Sequence, residues 1–433
     1  MPLYNIDLGY AILFYLAKYD VINSIDKPMQ KNNLLKKFIK IRKDSISICK
    51  NLEIEDYVVQ PSDEVSPIKW HLGHTSWFFE EIILLKYNKK LQRYNNTYNI
   101  IFNSYYKSAG KHWKQNLRGQ LSRPTVKEII KYRKYVNIEI KNLLKSSLDN
   151  QKINFLMELG INHEEQHQEL MYMDIKYIYN TNPQKLKYTN TRLPKIKPKA
   201  QEWEIFDEGI YLIGNDNKKF SYDNEKPQHK VYVHPFSLQK QFITNKEYIN
   251  FIEDEGYSKP TFWLSKGWDW INNNQISYPK YWNKIKNKWF EFTLHGVIPL
   301  DMNSPVTHIS YYEATAYARW ANNRLPTEEE SELYLKNKIY KKNKLNTYHP
   351  YSTDININNL WWWTKSHYSS YPGYVPFHGN IEEYNEKFMC GQFVLKGGCI
   401  VTPISHYRHT YRNFYEPHQR WMFSGIRLAR DIK

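Results

Sequence analysis

From about Leu34 to Tyr179, apolar positions recur every three or four residues between polar and charged ones, with few glycines. That period predicts long amphipathic helices assembled as a bundle over residues 34–180. Between Asn180 and Ala200, "NTNPQKLKYTNTRLPKIKPKA", prolines and lysines break the period and leave little apolar surface to bury, which predicts a linker over 181–200. Beyond it, short apolar runs such as "GIYLIG" and "HKVYVHPFSL" alternate with Gly and Pro among clustered tryptophans. They predict a second, mixed domain over 201–433 with irregular strands and much loop. The fold class expected is therefore α+β, with residues 1–33 as an N-terminal extension. Within that extension, "LGYAILFYLAKYDVI" is shorter than a membrane span, follows no basic region and precedes no clear cleavage site. No membrane partner and no secretory leader are expected.

Composition changes this picture little. A chain of 433 residues, 41% hydrophobic and 16% aromatic, has the length and side chains for two cores. The formal charge of +17 raises the question of nucleic acid. However, the lysines are spread along the chain, and no compact basic face, zinc-finger spacing or RNP-like strand accompanies them. No nucleic-acid partner is expected. Cys49, Cys390 and Cys399 are too few and too scattered for a disulfide framework or a cysteine zinc site, which suits a reducing, cytoplasmic setting.

The candidate chemistry lies in "NHEEQHQEL", Asn162 to Leu170, where His163 and His167 stand one helical turn apart. Read at helical spacing, Leu156, Leu159, His163, His167 and Leu170 form one stripe, so both imidazoles interrupt an apolar face. In "SPIKWHLGHTSWFFEEIILL" the same reading puts His74 on a face with Trp70, Trp77, Phe78 and Leu85. Three inward histidines can converge on a metal ion in a bundle core, or can be three separately hydrogen-bonded core residues. Spacing leaves both open. Three neutral imidazoles would leave a divalent ion its full charge and, in an octahedral site, three open positions for reactants; a zinc hydrolase would accept the same set. Glu169, two residues past His167, points elsewhere on the helix and is not counted as a ligand.

Several motifs in order carry a family resemblance. "SPIKWHLGHTSWFFEE", "NSYY", "LSRPTV" and "LGINHEEQHQEL" resemble the DinB-like bundle of the iron-dependent sulfoxide synthases of ergothioneine and ovothiol biosynthesis. "DNEKPQHKVYVHPFSL", "TNKEYINFIEDEGY", "PVTHISYYEATAYARWANNRLPTEEE" and "YRNFYEPHQRWMFSGIRLARD" are similar to the C-type-lectin-like, formylglycine-generating-enzyme-like domain of the same enzymes. The resemblance runs from about Leu34 to Asp431. It implies a mononuclear Fe(II) centre on His74, His163 and His167 that uses O2 to join a thiol sulfur to an imidazole carbon as a sulfoxide. It also implies that Tyr105 or Tyr106 of "NSYY" is the acid during oxygen activation, with Tyr384 the next candidate, and that Gln166 hydrogen-bonds the substrate imidazole. Asn413, Phe414, Trp421 and Phe423 would line the substrate pocket, where aromatic faces suit the trimethylammonium of hercynine.

The expected reaction couples cysteine to hercynine. Histidine in place of hercynine, or γ-glutamylcysteine or a selenosugar as donor, stays open, as does a non-catalytic lectin-like binding module outside the class. Oligomeric state is not legible. Two positions depart from the lectin-like pattern: Trp362 in "NNLWWWT" stands where Glu is expected, and Ser331 in "LPTEEESE" where Trp is usual. Cys390 and Cys399 are not spaced like the copper-binding pair of formylglycine-generating enzymes, so that activity is not expected.

Overall fold

The computed structural model describes residues 31–146, 150–217, 219–336, 338, 347–350 and 359–432. Of the extension expected over 1–33, residues 1–30 lie outside the described residues. The periodic half forms helices α1 (Lys31–Ile48), α2 (Ile68–Phe78), α3 (Tyr98–Phe102), α4 (Val126–Ser146) and α5 (Gln151–Thr181). Asn150 starts α5 by accepting the Lys152 and Ile153 backbone N–H groups on its side chain, satisfying two donors the helix cannot pair itself. α5 then lies along α1 and against α2, while α2 also packs on α4.

"FFEEIILL" carries too many consecutive apolar residues for one stripe of a regular helix. The chain answers with a wider π-helical turn over Phe79–Leu84, which shifts the phase so that Phe79, Ile82, Ile83 and Leu84 are all buried. A buried ion cluster ties the helices together: Glu164 of α5 accepts from Arg42 of α1 at 3.0 Å, from Arg133 of α4 at 2.7 Å and from Ser45 at 2.6 Å. Burial pushes the Glu164 carboxyl up, but Arg42 and Arg133 outweigh it and hold it at about 2.

α5 ends at Thr181, and Asn182 to Ala200 form neither helix nor strand. That stretch is nevertheless tied down. Tyr188 is buried, its N–H and that of Thr189 both donate to Leu294 O, and Thr191 O faces His295 Nδ1.

The second half contains strands β1 (Trp203–Phe206), β2 (Gly209–Ile213), β3 (His229–Val233), β4 (Phe236–Gln239), β5 (Trp282–Ile285), β6 (Lys288–Thr293) and β7 (Gly296–Pro299). It continues with β8 (Trp361–His367), β9 (Phe393–Lys396), β10 (Asn413–Tyr415), β11 (Ser424–Gly425) and β12 (Ala429–Asp431). They pair as β1-β4-β12, β10-β9-β8-β11, β2-β3 and β5-β6-β7, all antiparallel except β8 with β11. The first and last strands both flank β4, which closes the domain on itself. Helices α6 (Asn245–Glu253), α7 (Ser265–Asn273), α8 (Tyr311–Trp320) and α9 (Glu328–Lys336) complete it, with α6 and α8 opened by Thr-Glu and Ser-Glu capping boxes.

The two departures from the lectin-like pattern meet in this domain. Trp362 of β8 is buried and its indole N–H donates to Ser331 Oγ of α9 at 3.1 Å. Gly397, with φ +106°, makes room: a Cβ there would stand 2.2 Å from the Trp362 ring.

α5 is the seam between the halves. Asn162 accepts from Arg408 at 3.1 Å, Glu169 from Trp361 Nε1 at 2.7 Å, and Lys176 Nζ lies 2.6 Å from His308 Nε2.

Candidate metal centre

His163 and His167 stand on one face of α5, and His74 faces them from α2. One ring nitrogen from each lies within 4.8 Å of the others, and all three side chains are buried. The His74 ring is held between the Trp70 ring (4.6 Å, 9°) and the Trp77 ring (5.5 Å, 20°), one turn before and one turn after it. Its Nδ1 lies 2.6 Å from the Phe102 carbonyl at the end of α3, which can only accept, so Nδ1 carries the hydrogen and Nε2 is a bare lone pair. That Nε2 lies 3.2 Å from His163 Nε2. His163 stacks on Phe78 (4.3 Å, 27°), and its Nδ1 has no partner. His167 presents Nδ1 to His71 Nδ1 at 2.8 Å, which leaves its Nε2 for the centre.

Burial, and then the neighbouring imidazoles, hold all three rings well below the usual histidine pKa. They are neutral, which is the ligating form. Three neutral nitrogens, two of them aimed by hydrogen bonds from the far side of the ring, fit a divalent ion.

Gly73 lets α3 come close enough to aim His74. A Cβ at Gly73 would stand 2.3 Å from the Phe102 ring, so Gly73→Ala displaces the residue whose carbonyl anchors His74. The expected result is a loss of about 1–3 kcal/mol in stability from overpacking, together with weaker metal binding, read by urea unfolding of the apoprotein and by Co(II) titration.

Of the tyrosine pair, Tyr106 is the inner one. Its ring lies 5.7 Å from Trp77 and 6.5 Å from Phe78, it is fully buried, and its hydroxyl has no hydrogen-bond partner. Tyr105 stacks on its outer side (4.6 Å) and donates to the Tyr384 carbonyl at 3.3 Å, with Lys387 Nζ 4.2 Å from the Tyr105 ring centre. Burial pushes both phenols above their usual pKa, so both stay protonated at neutral pH.

The second domain brings two further tyrosines to this end of the site. Tyr384, 6.0 Å from the His163 ring, donates to Gln166 Oε1 at 2.7 Å, and Gln166 Nε2 donates to Tyr411 Oη at 2.8 Å. Arg118, buried with its guanidinium carbon 3.4 Å from the Trp70 ring centre, bonds Ser66 Oγ at 2.8 Å and leaves Nε unpaired. Burial lowers its pKa to about 9.

The remaining expected pocket residues are not gathered with these. Trp421 reaches the centre indirectly, its indole N–H donating to Asp174 Oδ1 at 3.3 Å. Phe423 is fully buried 4.8 Å from the His308 ring, with Lys176 Nζ 5.1 Å from its ring centre. Asn413 turns its side chain onto the Phe414 N–H at 3.0 Å, and Phe414 stacks on Tyr368 at 4.0 Å. Sequence reasoning missed His71, Asp174 and Tyr411. His71 is three residues before His74, and Asp174 seven after His167, so helical spacing already put both near the ligand faces. A wide groove that includes Ile41, Phe155, Asn162, Phe377 and Arg408 runs along another face of α5 and takes in none of the three histidines.

A family model for the sulfatase-modifying factor enzyme 1-like domain matches residues 194–335 and 353–432, just over half of the chain. The hercynine oxygenase of Mycobacterium tuberculosis is 30% identical over 311 residues, covering 64% of this chain and 72% of that protein. The hercynine oxygenase of Mycolicibacterium smegmatis is 29% identical over 316 residues, again 64% of this chain and 72% of that protein. Ergothioneine biosynthesis protein 1 of Schizosaccharomyces pombe is 27% identical over 233 residues, 49% of this chain but 28% of that longer protein. The chain is an α+β protein with a helical half that carries a three-histidine group joined to this mixed domain, and its relatives make it an oxygenase. The chain belongs to the hercynine oxygenase family, whose second half is the sulfatase-modifying factor enzyme 1-like domain. Among the described residues, no helix is long and apolar enough to cross a membrane.

Proposed function

We propose that the protein is an Fe(II)-dependent sulfoxide synthase of the ergothioneine type, joining the sulfur of cysteine to the imidazole of hercynine. The observation that carries this reading is the convergence of three neutral, buried imidazoles, with a buried phenol packed on the Trp77 and Phe78 rings that flank His74 and His163, in a chain of the hercynine oxygenase family. His74, His163 and His167 would hold the ion, which when bound supplies redox chemistry and a Lewis acid for a thiolate. The overall reaction balances as thiol plus imidazole C–H plus O2 giving the imidazolyl sulfoxide and water. The S–H, C–H and O–O bonds break, C–S, S–O and two O–H bonds form, and the four electrons that reduce O2 come from the C–S coupling and the oxidation of sulfur to the sulfoxide.

The chain's own residues supply position and protons. Trp70 and Trp77 keep water from the His74 face, and the Gln166 amide, which donates and accepts without adding charge, suits a neutral imidazole. Tyr106 is the proton donor, because its hydroxyl is buried, protonated and uncommitted. Arg118, a buried cation with an unpaired donor, suits a substrate carboxylate.

The test is oxygen uptake by protein reconstituted anaerobically with Fe(II), offered hercynine or histidine against cysteine, γ-glutamylcysteine and a selenosugar, with products identified by mass. Sulfoxide from hercynine and cysteine supports the reading, and turnover only with another pair replaces the substrate assignment. Zinc-dependent hydrolysis without oxygen uptake, or no metal binding at all, overturns it.

A further inference from the structure

His167 does not end at the metal centre. Behind it runs a line of buried groups: His167 Nδ1 to His71 Nδ1 at 2.8 Å, His71 Nε2 to Asp174 Oδ2 at 2.9 Å, and Trp421 Nε1 to Asp174 Oδ1 at 3.3 Å. Asp174 Oδ2 also accepts the Ser66 backbone N–H at 3.0 Å. The line starts on α5, crosses to α2, returns to α5 and ends in the second domain.

Its hydrogens can be assigned from the partners alone. The Ser66 amide and the Trp421 indole can only donate, so Asp174 is an acceptor on both oxygens and His71 Nε2 must carry a hydrogen toward it. A neutral His71 then has a bare Nδ1, which takes a hydrogen from His167 Nδ1. His167 is thereby left with a bare Nε2, the nitrogen that faces the centre. The opposite pattern, with His71 Nδ1 donating, puts the hydrogen of His167 on Nε2 and blocks it as a ligand. The direction of donation at Asp174 therefore decides whether His167 can bind a metal.

We propose that Asp174 and His71 are positioning residues that fix the ligating tautomer of His167, and that Trp421 sets the orientation of whatever side chain stands at 174. This deepens the proposed function and rests on its three-histidine metal site. The assignment goes beyond an ordinary buried hydrogen bond because it predicts a suppressor. In Asp174→Asn, an amide keeping its oxygen toward Ser66 and His71 must put its NH2 against the Trp421 N–H, donor against donor. Flipped, it satisfies Trp421 but turns its NH2 onto His71 and against the Ser66 N–H, so each orientation strands one donor, and the line reverses in every molecule that takes the flipped one. Removing the indole N–H with Trp421→Phe frees the amide to turn back.

The test uses the full chain, stripped of metal, and anaerobic Co(II) titration followed by visible absorption, with no turnover required. Wild type is expected to bind one equivalent, Asp174→Asn to bind about 10–100-fold more weakly, and the Asp174→Asn/Trp421→Phe double variant to recover at least part of that loss. Trp421→Phe alone should stay within a few-fold of wild type. His71→Phe, which removes the line while keeping a ring in place, should also weaken binding, and it carries the test if Asp174→Asn does not fold as judged by thermal unfolding of the apoprotein. Wild-type affinity in either Asp174→Asn or His71→Phe, or a double variant no better than Asp174→Asn, overturns the relay while leaving the metal site standing. Failure of wild type to bind Co(II), or undiminished binding by His163→Ala, brings down the site and the relay together.

Discussion

His163→Ala is expected to abolish stoichiometric binding of Fe(II) or Co(II), and with it the proposed sulfoxide formation, while the apoprotein keeps its fold. This ligand is the one to remove because its hydrogen-bond contact is with another ligand, His74 Nε2, and not with the surrounding scaffold. Taking His74 away would orphan the Phe102 carbonyl and taking His167 away would orphan His71, whereas His163 Nδ1 has no partner to strand. What the variant loses is a stacking surface on Phe78, with a cavity cost of order 2 kcal/mol. Metal supplied at a hundred times its dissociation constant should stabilise wild type by about 2.7 kcal/mol and the variant by nothing measurable. The comparison of unfolding midpoints with and without metal therefore reads the site independently of catalysis. Full occupancy and normal turnover in the variant would remove the centre.

Tyr106→Phe should divert the reaction without stopping it. With thiol and O2 in one pocket, two outcomes compete: coupling to the imidazole, which forms sulfoxide and water, and oxidation of the thiol by the whole of O2 to a sulfinic acid. Loss of a positioned general acid costs about 10²–10⁴ in rate, enough to make the minor branch the major one. The substitution deletes one hydroxyl that bonds to nothing and keeps the ring that packs on Trp77 and Phe78. Tyr105→Phe should do much less, since that hydroxyl is engaged by the Tyr384 carbonyl on the outer side of the stack. Both products and oxygen uptake are measured under saturating Fe(II). An unaltered sulfoxide yield in both single variants and the double variant would move the assignment to Tyr384.

The helical half and its three histidines were legible because helical period, inward face and ligand spacing are all local properties. The π-helical turn was not, since "FFEEIILL" reads simply as apolar, and only its burial against several helices at once demands the wider turn. The expected linker looked featureless because Tyr188 is one aromatic among lysines, and its anchor on Leu294 comes from a distant hairpin. Gln166 was singled out by its place before His167, but the hydroxyls that hold its amide come from Tyr384 and Tyr411, far along the chain and delivered by the second domain. Trp421 and Phe423, two residues apart in one motif, looked equivalent. The chain bends through 421–423 and sends one indole to Asp174 and the other ring to His308 and Lys176, a distinction that no local pattern carries.

The pairing of Trp362 with Ser331 couples a strand to a helix through one shared volume. The Trp362 ring fills the space, the small Ser331 accepts its N–H, and Gly397 leaves the ring room. A second indole at 331 would now compete with Trp362 for one volume, and a carboxylate at 362 would face a hydroxyl across an emptied space. The two positions are therefore coupled, and the effect on stability of changing both differs from the sum of the single changes. A chimera that exchanges the strand or the helix alone would set two large groups, or none, in a space built for one.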